Sequence, residues 1–144
     1  MKSTARASWA GSITEGAGKI TVASGLIKDA PYTVKGRFEG GGPGTTPEEL
    51  LAASHAACYT MAVGVGLTRA KMPPKSIETN CEVEVVVGAA GADITKSTLT
   101  CKVEVPGADA AKVREVAEGA KKGCPVSKAL AGIKDISLAL DVKV

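Results

Sequence analysis

Short alternating stretches at the start, middle and end of the chain, with one long apolar run and one amphipathic run between them, predict an α+β domain of segregated strands and helices in the order βββ–α–ββ–αα–β. Three observations carry that order. Apolar and polar residues alternate between Gly- and Pro-rich turns, a helix-start signature precedes the apolar run, and a 3.6-residue period covers residues 109–122. At 144 residues the chain has the size of one domain spanning 1–144.

Residues 3–10, 18–24 and 32–39 alternate and read as an antiparallel meander. The run Glu39-Gly40-Gly41-Gly42-Pro43-Gly44 is too rich in glycine for regular structure. It leads into Thr45-Thr46-Pro47-Glu48-Glu49. Thr46 with Glu49 three residues on matches a capping box, and Pro47 falls at the first helical position, so a long helix starts here and runs to about Lys71. Its residues offer no clean polar face, as expected of a helix buried on most sides. Met72-Pro73-Pro74 ends it.

Residues 77–87 and 94–105 alternate across the link 88–93 and predict a β-hairpin. Its inner face carries Cys81, Val83, Val85 and Val87 opposite Leu99, Cys101, Val103 and Val105. A loop symmetric about residue 91 would set Cys81 opposite Cys101. An amphipathic helix from Asp109 to about Lys122 follows, with Val113, Val116 and Ala117 on its apolar side. Cys124-Pro125 opens a short second helix, and a strand over 135–143 closes the chain. One sheet cannot cover a helix that is apolar all round; a dimer burying two such helices between two sheets would.

Composition narrows the function. The net charge of +3, with lysines interleaved among acidic residues, argues against a nucleic-acid partner. The long helix is interrupted by Ser54, His55, Thr60 and two glycines, which argues against a membrane span. The N-terminal residues lack the apolar core of a secretory signal, so a cytoplasmic location is expected. Four cysteines without a C-x-x-C pair do not make a disulfide framework.

Taken singly, each cysteine has two readings. Cys58 lies mid-helix one turn after His55 and fits either a small buried hydrophobe or a reactive thiol. Cys124 at a helix start could be simply buried or stabilised as a thiolate by unpaired N–H groups, with Lys121 and Lys122 nearby. Cys81 and Cys101 alternate with valines and read as core. No metal-ligand spacing joins them to His55. His55, the one histidine, either faces the Cys58 cavity or packs at a dimer seam, the latter being favoured.

The segment from Gly42-Pro43-Gly44-Thr45-Thr46-Pro47-Glu48-Glu49 through Ser54-His55-Ala56-Ala57-Cys58, with the later Gly123-Cys124-Pro125-Val126-Ser127-Lys128-Ala129-Leu130, resembles the two signatures of the OsmC/Ohr family. That resemblance implies an OsmC-like fold of antiparallel sheets wrapped around long central helices in an intertwined homodimer. It also implies a thiol peroxidase that reduces hydroperoxides, organic ones preferred, in stress defence. Cys58 would attack the peroxide and Cys124 would resolve the sulfenic acid as a disulfide. Arg37 would activate Cys58, and Glu48 would orient Arg37. No cofactor is implied; an external dithiol, for instance a dihydrolipoyl protein, would regenerate the thiols. The first β-turn, Thr14-Glu15-Gly16-Ala17-Gly18-Lys19, has no arginine, which points to the OsmC rather than the Ohr branch. Ten helical residues place Glu48 about 15 Å from Cys58 along the axis, so Glu48 would serve the partner subunit's site. A thiol-dependent hydrolase and a non-catalytic dimer binding an apolar ligand are the competing functions.

Overall fold

The first two alternating stretches become β1 (Ala5–Ala10) and β2 (Ala17–Val22), paired antiparallel from Ala5 against Val22 to Ala10 against Ala17. The computed structural model describes residues 2–40, 42–133 and 135–144. They fall into two compact units that divide at Leu50 and Leu51.

In the first unit, β3 (Ala30–Tyr32) adds antiparallel to β2, and the sheet order is β1-β2-β3. Trp9 and Tyr32 pack ring to ring at 5.5 Å across it. The expected third strand over 32–39 is cut short. Thr33 takes an extended conformation and its hydroxyl accepts the Gly36 N–H at 2.9 Å, capping a one-turn helix, α1 (Val34–Phe38). Arg37 therefore sits on a helix and not on a strand. Gly44, at φ +109°, lets the glycine loop lie against β3; a Cβ there would strike the Pro31 carbonyl.

Helix α2 (Pro47–Arg69) begins as the sequence indicates. The Thr46 hydroxyl accepts the Glu49 N–H at 3.1 Å. The Glu49 carboxylate accepts from the Thr45 hydroxyl at 2.7 Å, so the capping box is closed on one side only. At its other end the helix stops before the prolines act. Lys71 turns left-handed at φ +60°, and the bonds Met72 N–H to Leu67 O and Lys71 N–H to Thr68 O form a Schellman cap. Only one stripe of α2 is buried in the chain: His55, Tyr59, Val63 and Leu67. The expectation of burial on most sides is not met within one chain, and Met61 and Val65 are exposed.

The second unit is built on β4 (Ser76–Gly88) and β5 (Gly91–Glu104), paired antiparallel with Gly88 opposite Gly91. The turn is centred on Ala89 and Ala90, and the register shifts at Glu84/Val85, where Thr95 is left over. Cys81 consequently faces Leu99, and Cys101 faces Thr79; the two cysteines are not opposite each other. On the inner face Leu99, Cys101, Val103 and Val105 are buried, whereas Val87, near the turn, is exposed.

Helix α3 (Ala110–Gly123) is capped by the Asp109 carboxylate, which accepts the Ala111 N–H at 2.8 Å. It buries Val113, Ala117 and Ala120 against Tyr59, Val63 and Leu67 of α2. After α4 (Pro125–Ala129) the chain enters β6 (Asp135–Lys143), which pairs parallel to β5, with Cys101 opposite Leu140. This sheet, ordered β4-β5-β6, is mixed, in contrast to the all-antiparallel sheets expected. The physical reason is the α3–α4 crossover, since a helical connection returns the chain to the same end of the sheet.

Candidate active site

Cys58 is on the flank of the buried stripe of α2, one residue before Tyr59, half-buried and packed against the core. Cys124 is fully buried at the junction of two helices. Its N–H donates to Ala120 O at 2.8 Å, ending α3, and its carbonyl accepts from Lys128 N–H at 3.0 Å, starting α4. Pro125 at the first position of α4 fits there because its missing N–H would have had no helical partner.

Three contacts lock this arrangement. The Tyr59 hydroxyl donates to Ala117 O at 3.0 Å, tying α2 to α3. Thr60 donates to Ala56 O at 2.8 Å and lies 2.7 Å from the Thr79 hydroxyl, tying α2 to β4. Gly66 allows the helices to close up, since a Cβ there would lie 2.7 Å from Val116 Cγ1.

All four cysteines are free thiols, and those of Cys58 and Cys124 are close enough to alter each other's ionisation. Burial pushes the Cys58 thiol up, and the adjacent Cys124 pushes it further, against a lowering by the Val126 N–H. Burial alone would raise Cys124 as well. It is outweighed by the N–H groups of Ser127 and Val126, the Cys58 thiol and the Ser127 hydroxyl, so Cys124 is held below the ordinary thiol range. The Cys124 side chain closes no cap hydrogen bond at the start of α4. Of the two sulfurs, that of Cys58 belongs to the more accessible residue.

Arg37 and Glu48, both in the first unit, form an ion pair. Arg37 Nε donates to the two Glu48 oxygens at 3.0 and 3.2 Å, and Nη2 donates to Oε1 at 2.6 Å. Glu48 is the more buried partner, with a side chain 11% exposed against 36% for Arg37. The guanidinium also lies 4.8 Å from the centre of the Phe38 ring. This double grip fixes the plane of the fork and leaves Nη1 without a hydrogen-bond partner among the described residues.

His55 departs from the dimer-seam reading. It is fully buried inside the chain, with Nδ1 2.8 Å from Ser97 Oγ on β5 and Nε2 2.8 Å from Ser127 Oγ on α4. Burial lowers its pKa, and the ring is neutral at pH 7. With both nitrogens engaged by hydroxyls it has no lone pair to offer a metal, and no metal-holding cluster occurs among the described residues. Ser97 and Ser127 escape a sequence reading because they meet His55 across 42 and 72 residues of chain. The serine inside the Cys124 segment, at helical spacing from the cysteine, was the one available signal.

The profile of the OsmC-like protein family matches residues 40–139. The chain belongs to the OsmC family. Peroxiredoxin OsmC of Escherichia coli is 43% identical over 125 residues, which is 87% of each chain. The organic hydroperoxide resistance protein of Xanthomonas axonopodis pv. citri is 31% identical over 123 residues, 83% of each chain. The crystal structure of the organic hydroperoxide resistance protein OhrB of Bacillus subtilis superposes with a TM-score of 0.68 at 26% identity, covering 97% of this chain and 98% of that one. The higher identity to OsmC agrees with the absence of an arginine in the first β-turn.

Proposed function

We propose that the protein is a thiol peroxidase that reduces hydroperoxides through Cys58 and Cys124. The carrying observation is that a half-buried thiol and a fully buried one are neighbours close enough for each to alter the other's ionisation. The Cys58 thiolate attacks the terminal peroxide oxygen; the O–O bond breaks, sulfur is oxidised to sulfenic acid, and the alkoxide leaves and takes up a proton as alcohol. Cys124 then attacks the sulfenic sulfur, the S–O bond breaks, and water departs as the disulfide forms. An external dithiol restores both thiols by exchange and leaves as its own disulfide.

Arg37 is the cation that draws the charge onto Cys58, and Glu48 holds its fork in plane. The two are bound to each other, so they act as one unit. Glu48 and Cys58 are ten residues apart on α2, about 15 Å of helical rise, so the pair serves the Cys58 of a second subunit. The exposed apolar side of α2, with Met61 and Val65, supports a homodimer with two such helices at its centre. An apolar surround suits organic hydroperoxides, the substrate class named for the Xanthomonas and Bacillus relatives. The site lies in the cytoplasm, where dithiol reductants are available.

Stopped-flow consumption of cumene hydroperoxide by the reduced protein tests this reading, with thiol counting and disulfide mapping. Turnover should vanish in Cys58→Ser and halt after one equivalent in Cys124→Ser. Undiminished thiols after peroxide would leave the fold without the activity.

A further inference from the structure

His55 and Cys58 are three residues apart on α2, and Cys124 and Ser127 are three residues apart at the start of α4. Residues so spaced share one face of a helix, with Cβ atoms about 5–6 Å apart. Two bridges therefore run side by side between these segments. One is the redox pair, Cys58 with Cys124, which opens and closes as the site works. The other joins His55 Nε2 to Ser127 Oγ at 2.8 Å, and its atoms take no part in the reaction.

Helix α4 depends on the second bridge for its place. It has five residues, too few to hold a helix by themselves, and Ser127 is the one among them that is buried. Val126 packs against the core only in part. An apolar contact tolerates sliding, whereas a hydrogen bond at 2.8 Å fixes both length and direction. His55 is itself held from behind: its Nδ1 meets Ser97 Oγ on β5 at 2.8 Å, and Ser97 Oγ lies 3.4 Å from Cys81 Sγ on β4. All three residues of the His55 cluster are buried, which keeps bulk water from competing for the bond. The bridge forms whichever ring nitrogen carries the proton, because a hydroxyl can donate to a bare nitrogen or accept from a protonated one.

We propose that His55 and Ser127 are positioning residues for the resolving step: their hydrogen bond holds the start of α4 against α2, so that Cys124 stays within disulfide reach of Cys58 while the two sulfurs are unbonded. The window is narrow, since a disulfide needs Cα atoms about 4.4–6.8 Å apart. In the step itself the Cys124 sulfur bonds to the Cys58 sulfur, the S–O bond breaks, and the hydroxide that leaves takes up a proton as water. Cys124 competes there with a second hydroperoxide, which would carry the waiting sulfenic acid on to sulfinic acid and leave as alcohol. The fraction of time that α4 spends in place sets the rate of the first outcome and not of the second.

This inference rests on Cys58 and Cys124 as the reacting pair, and two readouts test it. The first is the concentration of cumene hydroperoxide at which half of the protein ends as sulfinic acid, read by mass spectrometry. The second is the equilibrium of the Cys58–Cys124 disulfide with glutathione, which needs no peroxide. Ser127→Ala should lower the first about tenfold and move the second about tenfold toward the thiols, the worth of one buried hydrogen bond. His55→Asn and His55→Gln each keep one of the two bonds of His55, since the Asn amide is placed for Ser97 and the Gln amide for Ser127. His55→Asn should behave as Ser127→Ala does, and His55→Gln should stay within about threefold of the parent. A general loss of packing would move both His55 variants alike. Parent values of both readouts in Ser127→Ala, or equal shifts in the Asn and Gln variants, would overturn the proposal. If no sulfenic acid forms, the peroxidase reading fails, while the glutathione equilibrium still decides this one.

Discussion

Replacing Arg37 by alanine tests where the reactive charge must be placed. In one chain burial and the neighbouring Cys124 both raise Cys58, so the cation has to act against two effects. A unit charge about 4 Å away contributes on the order of 4 kcal/mol at an effective dielectric constant near 20. If half survives the exposure of the guanidinium, about 2 kcal/mol remains, a factor of roughly 30 in thiolate population. Arg37→Ala should therefore slow single-turnover attack on cumene hydroperoxide about 30-fold at pH 7. The sign of the pH dependence is fixed. Losing the cation raises the Cys58 pKa, so the fold deficit is full below both pKa values, shrinks as pH rises through the parent's, and fades at alkaline pH, where both are ionised. Stopped-flow rates across pH 5–10 decide the matter. A deficit of constant size over that range would refute electrostatic activation, and no deficit would remove Arg37 from the site.

In Cys124→Ser the Cys58 titration should move downward, because the charge that opposes its ionisation is gone, while one equivalent of peroxide leaves the protein at the sulfenic acid; mass spectrometry and thiolate absorbance report both. Gly66→Ala should destabilise the fold by about 1–2 kcal/mol in urea despite the better helix propensity of alanine, because the new Cβ meets Val116, and adding Val116→Ala should restore most of the loss. Thr46→Ala, which removes the cap acceptor for the Glu49 N–H, should cost about 1 kcal/mol by the same measurement.

What local chemistry encodes was readable from the sequence. Thr46, Pro47 and Glu49 fixed the start of α2, Asp109 the start of α3, and alternation fixed both strands of the hairpin. The misreadings have physical causes. Residues 32–39 alternate well enough for a strand, but the Thr33 cap diverts them into a helical turn. The hairpin register depended on a turn centre and a bulge that alternation does not mark. The parallel pairing of β6 is set by the crossover, which no strand pattern records. At the site, the cysteines, Arg37 and Glu48 were reached through a family resemblance, and the structure adds the Arg37–Glu48 grip. The surroundings of His55 were illegible because hydroxyls distant in sequence supply them.

Cys58 belongs to the middle of α2 and Cys124 to the start of α4, with the hairpin and α3 lying between them in the chain. A bond between them would be a staple as well as a catalytic intermediate. Closing a loop of roughly 65 residues removes enough freedom from the unfolded chain to stabilise the native state by about 4 kcal/mol. Each turnover would then pass through a tougher form of the protein, and each reduction would return it to a more yielding one. A molecule that has just met peroxide would be at its most resistant to unfolding while it waits for its reductant.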